Sequence, residues 1–256
     1  LGTLDDPLAE ALRLIELADA AGIRVRLMGG LAFHARAPEW TARIERTRRD
    51  IDLATSSAHR RGVSDLLIRA GYAADREYNA LYGHKQLYFV DPGHDRPVDV
   101  LVDRLEMCHT FEFAKRLEVD SPTLPLADLL LSKLQVVHIN RKDVLDALVL
   151  FGEYPLTEDD RGISVPRILA YTSEDWGWWR TVSENLDKLG AFARVEVGPD
   201  DLAMAGGRPL RFDAAAQATA LRQRMDAAPK STRWKLRARV GERLQWYQLP
   251  EEVGHD

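Results

Sequence analysis

The chain has 256 residues, 45% hydrophobic and 29% charged, with a formal net charge of -5 at pH 7. This is an ordinary globular composition with room for one large domain or two small ones, and its mild acidity argues against a strongly basic nucleic-acid-binding domain. No stretch approaches the ~20 apolar residues of a membrane helix, Leu1 to Glu10 lack the apolar core of a signal peptide, and a lone cysteine, Cys108, leaves no internal disulfide framework. A cytoplasmic protein without membrane contact is expected.

Pro7 to Ala21 is predicted helical, with an apolar stripe through Leu8, Ala11, Leu12, Leu14, Ile15 and Leu17, and Gly22 stops it. Ile23 to Met28 is a β-rich run broken by Gly29-Gly30. Leu31 to Ala37 reads as a short helix ended by Pro38. Ile51 to Ala54 is a short strand, and Ala58 to Ala70 a helix closed by Gly71. Lys85 to Val90 and Pro97 to Val102 are strands joined at Asp91-Pro92-Gly93, which predicts a hairpin. Together these elements predict an α/β (α+β) fold with a mixed sheet and flanking helices.

The second half changes character. Leu124 to Ile139 has helical periodicity, a further helix opens at Arg141-Lys142, and Pro166 to Tyr171 and Glu174 to Leu189 continue the pattern. Gly206 to Pro209 reads as a loop, Ala214 to Ala228 and Trp234 to Leu244 as the last helices. The expected division is a domain over residues 1–120 and a mainly helical domain over 121–256.

The chemistry concentrates in the first part. Residues i and i+2 of a strand share a face, so Asp50 and Asp52 project together while Ile51 and Leu53 enter a core. Two close carboxylates repel, and Mg²⁺ is commonly held by one or two carboxylates together with substrate phosphates. An Asp-x-Asp also arises by chance in surface loops. Two neighbours favour a metal. Gly29-Gly30 sit at a strand-to-helix junction, where missing Cβ atoms and free helix N–H groups admit phosphate oxygens; a plain tight turn is the alternative. Asp99 is an acid within the apolar run Pro97 to Leu101, a costly position unless it is paired or metal-bound. Asp103 lies past that run and is expected to face solvent. Three acids around two divalent ions suit nucleotidyl transfer, and Arg46, Arg48 and Arg49, just before the acids, are candidate phosphate ligands.

The order of these pieces, Gly29-Gly30, an arginine-rich segment, Asp50-Ile51-Asp52-Leu53 and a later strand with Asp99, resembles the nucleotidyltransferase superfamily with the polymerase-beta-like core, and within it the AbiEii-type group that includes toxin components of toxin–antitoxin systems. The resemblance spans about Val25 to Phe151. It implies a nucleotidyltransferase-like mixed sheet, metal binding (Mg²⁺ or Mn²⁺) by Asp50, Asp52 and Asp99, and phosphate-side roles for Gly29, Gly30, Arg46 and Arg49. It extends to Asp128 through Leu134, similar to a helix whose lysine contacts the nucleotide, and to Arg141 through Asp146, similar to an Arg/Lys-Asp-x-x-Asp segment. Lys133 thereby takes a nucleotide-binding and catalytic role and Asp143 a catalytic one, with Asp146 secondary. Snorkelling of Lys133 and simple N-terminal helix charge at Asp143 are the plain alternatives. The family's Arg-x-Thr-x-Asp pattern is departed from in Arg46-Thr47-Arg48-Arg49-Asp50, where the threonine is shifted by one.

The implied activity is transfer of an NMP from an NTP to a hydroxyl acceptor, a small molecule, tRNA or protein, with pyrophosphate released and an antitoxin as a possible partner. The competing readings are a nucleotide-binding toxin–antitoxin component with weak or no catalysis, and a non-enzymatic structural protein. Trp176, Trp178 and Trp179 read first as core packing and second as stacking groups for an acceptor. Cys108 and His109 are adjacent and face opposite ways in a strand, which argues against a thiol–imidazole dyad.

Overall fold

The computed structural model describes residues 2–41, 49–195 and 210–249. These fall into two compact units, one from within Leu1–Pro38, Ile44–Leu105 and Glu112–Pro125, the other from within Glu39–Arg43, Glu106–Phe111 and Leu126–Asp256.

The first unit begins with α1 (Pro7–Ala20). The Asp6 carboxylate caps it by accepting from the Ala9 N–H at 2.7 Å, and Pro7 suits the first turn. Ala11, Leu14, Ile15 and Ala18 form the buried stripe, and Gly22 ends the run with φ 69°. Strand β1 (Val25–Met28) is buried throughout. Its Arg26 donates to the carbonyls of Val25 and Asp120 and to the Asp19 carboxylate, contacts that make a buried cation tolerable. Then come α2 (Gly29–Arg36), α3 (Pro38–Thr41), β2 (Ile51–Thr55), α4 (Arg60–Arg69), β3 (Ala73–Ala74), α5 (Arg76–Tyr82), β4 (Gln86–Asp91) and β5 (Arg96–Val102).

The five-stranded sheet has the order β1-β2-β5-β4-β3. β2 runs parallel to β5, and the other neighbours are antiparallel. The sheet is therefore mixed, and β4 with β5 forms the hairpin expected around Asp91-Pro92-Gly93. Alternation along β4 and β5 buries Leu87, Phe89, Val98 and Val100 and leaves Gln86, Tyr88 and Asp99 half-buried on the other face. The sequence reading passes from α4 straight to β4, whereas the structure inserts β3 and α5. The Asp75 carboxylate caps α5 by accepting from the Tyr78 N–H at 2.9 Å, but seven residues are too few to show helical periodicity.

The short strands β6 (Arg104–Glu106) and β7 (Thr110–Glu112) follow. The second unit is then built from α6 (Leu126–Leu134), α7 (Arg141–Glu153), the parallel pair β8 (Leu156–Thr157) and β9 (Ile163–Ser164), α8 (Val165–Thr172), α9 (Trp176–Val195), α10 (Ala214–Ala227) and α11 (Thr232–Val240). α6 stops at Leu134 rather than Ile139, and Asn140 restarts the chain as α7 by accepting from the Asp143 N–H at 3.0 Å. α10 packs on α7 and α9 through Ala214, Ala218, Leu221 and Met225. A mixed α/β sheet unit with flanking helices is thus followed by a largely helical region. Among the described residues no helix is long and apolar enough to cross a membrane.

One buried acid ties α1 to its surroundings. Glu10 is fully buried and accepts from Arg13, the Tyr72 hydroxyl and the Leu4 N–H. Burial works against its charge, but the bonds from Arg13 and Tyr72 outweigh it and hold the carboxyl below its ordinary value of 4.5. A depressed folded-state pKa contributes stability that is present above the ordinary value and is lost as the pH falls through the folded one. Glu10→Gln is therefore expected to lower stability at pH 7 by about 1–3 kcal/mol and to flatten the acid limb of the stability curve, as read by urea unfolding at several pH values. An acid limb identical to that of the wild type would contradict this assignment.

Candidate functional site

The site in the first unit is set by strand register. β2 alternates buried Ile51 and Leu53 with half-buried Asp52, and β5 alternates Val98 and Val100 with Asp99. The parallel ladder makes Asp52 the direct partner of Asp99, so two acids from distant parts of the chain stand side by side on one face. On the other side of β2, Asp52 is paired with Met28, the last residue of β1.

Gly29 follows Met28 and explains the glycine. Its φ is 63°, and a Cβ built on it would lie 1.8 Å from Asp52 Oδ2. The Asp52 carboxylate occupies the space a side chain at 29 would need. Gly30 is the second residue of α2. The glycine pair thus lies at the start of the helix rather than in a separate turn before it, and Gly29 is required by an acid of the site as well as by backbone conformation.

Around Asp99 the hairpin adds two polar groups. Gln86 Nε2 donates to Asp99 Oδ1 at 2.5 Å. Tyr88 is the cross-strand partner of Asp99, and its phenol pKa is raised, first by burial, then by the charges of Asp99 and Asp50. Tyr78 is raised by burial and then by Asp99. Neither Gln86 nor Tyr88 stands out in the sequence. Counting the hairpin register back from the Asp91-Pro92-Gly93 turn would have placed Tyr88 opposite Asp99.

Asp50 and Arg49 precede β2 and are exposed. They line a shallow cavity of about 290 Å³ with Tyr88, Val90, Asp95 and Pro97. Arg49 Nη2 donates to the Asp95 carbonyl and lies 3.3 Å from its carboxylate. Asp103 takes φ 66° and accepts from the N–H of Ser57, in the turn after β2, at 2.8 Å. Arg46 and Arg48, candidate phosphate ligands, lie outside the described residues, as does the expected loop Gly206 to Pro209. The structure thus brings Asp52 and Asp99 together and leaves Asp50 at the strand entrance. Among the described residues no three His, Cys, Asp or Glu side chains are grouped so as to hold a metal ion. The donor chemistry of the Asp52–Asp99 pair, oxygen atoms only, above a glycine that clears space for one of them, fits a hard divalent cation.

The second charged set belongs to the helical unit. Lys133, near the end of α6, donates to Asp143 Oδ1 at 2.6 Å and lies 3.5 Å from Asp146 Oδ2. Asp143 Oδ2 also accepts from Asn140 Nδ2 at 2.8 Å. The expected pairing of Lys133 with Asp143 across a helical hairpin is present, and Asp146, buried one helical turn on, joins it. Asp128, at the other end of α6, is fully buried and accepts from Arg167 Nε at 2.8 Å. Arg167 is invisible in sequence because the pairing spans two helices.

No family model matches the chain, and no curated protein matches it.

Removing the cation from a largely buried ion pair leaves its acids without that partner. Lys133→Met is expected to cost about 3 kcal/mol in urea unfolding, and adding Asp146→Asn to return part of it. A midpoint unmoved by Lys133→Met would mean that the contact contributes nothing to stability.

Proposed function

We propose that the first unit is the catalytic part of a metal-dependent nucleotidyltransferase. The observation that carries this reading is the register of β2 and β5, which sets Asp52 beside Asp99 on one face with Gly29 beneath Asp52. Two adjacent half-buried acids on a mixed sheet suit a site for a divalent ion and a triphosphate, because the cation offsets their repulsion.

In this reading Asp52 and Asp99 would hold the divalent ion, Mg²⁺ or Mn²⁺, with Asp50, at the entrance of β2, the third acid that the resemblance implies. Bound there, such ions neutralise triphosphate charge and make an acceptor hydroxyl more acidic. Gln86 fixes the Asp99 carboxylate through its bond to Oδ1. The start of α2 offers helix N–H groups to phosphate oxygens, the space at Gly29 being taken by the Asp52 carboxylate, and Arg49 offers a cation beside Asp50. The acceptor oxygen forms a bond to the α-phosphorus, the bond to the β-phosphate oxygen breaks, and pyrophosphate leaves. Asp99 takes the acceptor's proton. Lys133 and Asp143 are assigned to the same activity by the resemblance of their segments, with Lys133 a phosphate-binding cation.

The test is pyrophosphate release from each NTP with Mg²⁺ or Mn²⁺, in the presence of pooled tRNA, protein or small hydroxyl compounds. Asp52→Asn and Asp99→Asn are each expected to reduce release on the order of 100-fold or more, with labelled NMP on the acceptor lost in parallel. Release that persists in both variants would remove these acids from the site.

A further inference from the structure

A cavity of about 720 Å³ lies within the helical unit, a volume inside the range of about 300–1,000 Å³ typical of small-molecule sites. Its walls are aromatic. Trp176 and Trp178 open α9, and Trp246 with Tyr247 comes from the segment after α11. Trp176 meets Trp246 edge to face at 5.9 Å between centroids, and His109 lies against Trp178 at 5.0 Å. Gly177 keeps the wall close, since a Cβ there would fall 2.6 Å from the Trp246 carbonyl oxygen.

The polar groups of this cavity can be assigned by elimination. Thr181 Oγ1 contacts Trp246 Nε1 at 3.1 Å and His109 Nε2 at 2.9 Å. An indole N–H only donates, so Thr181 accepts from Trp246. The Thr181 proton then has one acceptor among these contacts, His109 Nε2. That places the imidazole's own proton on Nδ1. Burial pushes the His109 pKa down to about 4, so the ring is neutral and Nδ1–H is a donor without a protein partner among the described residues. The cations differ in role. Arg237 lies over Trp176 and donates to the carbonyls of Gly241 and Leu244, so it builds the wall. Arg233 is 83% exposed, and its contact to Asp175 is long, 3.5 Å. It sits on α11, which carries Arg233, Lys235, Arg237 and Arg239 and no acid.

We propose that this cavity binds a nucleotide unit, its base stacked on the tryptophans and hydrogen-bonded through an acceptor atom to His109, its phosphate met by Arg233. Stacking on indole suits any base, a lone donor suits a ring nitrogen or carbonyl, and an acid-free basic helix at the rim suits a phosphate. The site is independent of the acids of the first unit, and its test omits divalent metal.

The experiment is calorimetric titration of the full chain with the four nucleoside monophosphates, the matching nucleosides and a short single-stranded oligonucleotide. At least one monophosphate is expected to bind more tightly than its nucleoside. Arg233→Gln, at an exposed position, should remove that advantage and leave the nucleoside's affinity unchanged. His109→Gln keeps an acceptor for Thr181 but lacks the Nδ1 donor, and should weaken monophosphate and nucleoside alike by about tenfold, with the unfolding midpoint checked in parallel. An oligonucleotide that binds better than the monophosphate identifies a strand end as the source of the unit; equal or weaker binding identifies the free nucleotide. No heat with any monophosphate up to about 1 mM, or binding undiminished in either variant, would overturn the proposal.

Discussion

Two carboxylates placed next to each other in a β-sheet set the terms for the first unit. Neighbouring strands lie about 4.8 Å apart, and like charges at that spacing repel by about 3 kcal/mol at an effective dielectric constant of about 20. The parallel pairing of β2 and β5 imposes this geometry on Asp52 and Asp99. The surroundings answer it with a Gln86 bond to Asp99 and with the space that Gly29 leaves for the Asp52 carboxylate. The buried faces of the same strands, Ile51, Leu53, Val98 and Val100, anchor the register. A slip of one residue would exchange core and acid faces, so hydrophobic packing keeps the acids adjacent.

In the helical unit Asp143 and Asp146 pair with Lys133, and Asp128 with Arg167. Both pairings use the α6 helix, whose leucines are fully buried, and both hold α6 to a neighbouring helix. Lys133 is therefore a structural contact as well as a candidate nucleotide ligand, and its substitution separates the roles only when stability and activity are measured together.

Much of this was legible in the sequence. The apolar alternation of β2 and β5, the glycine stop after α1 and the helical spacing of α6 and α7 each depend on neighbours close along the chain. The pairing of Lys133 with Asp143 was legible too, because a short connection brings consecutive helices together. The adjacency of Asp52 and Asp99 was legible only as a suggestion, since strand order is a property of the whole sheet. Arg167 and the enclosure of Trp176 by Trp246 were hidden, because each joins residues that only packing brings together. Gly29 was marked as a phosphate-side glycine, and the structure adds a nearer constraint, the Asp52 side chain itself.

The claim on which the account turns is that the Asp52–Asp99 pair binds a divalent cation. Mn²⁺ titration followed by electron paramagnetic resonance tests it without an acceptor or knowledge of the reaction. The account predicts that the wild-type chain removes free Mn²⁺ signal with saturable stoichiometry, more strongly when an NTP is present, and that Asp52→Asn and Asp99→Asn each abolish the NTP-dependent uptake. Mn²⁺ uptake that is the same in wild type and both variants would contradict it.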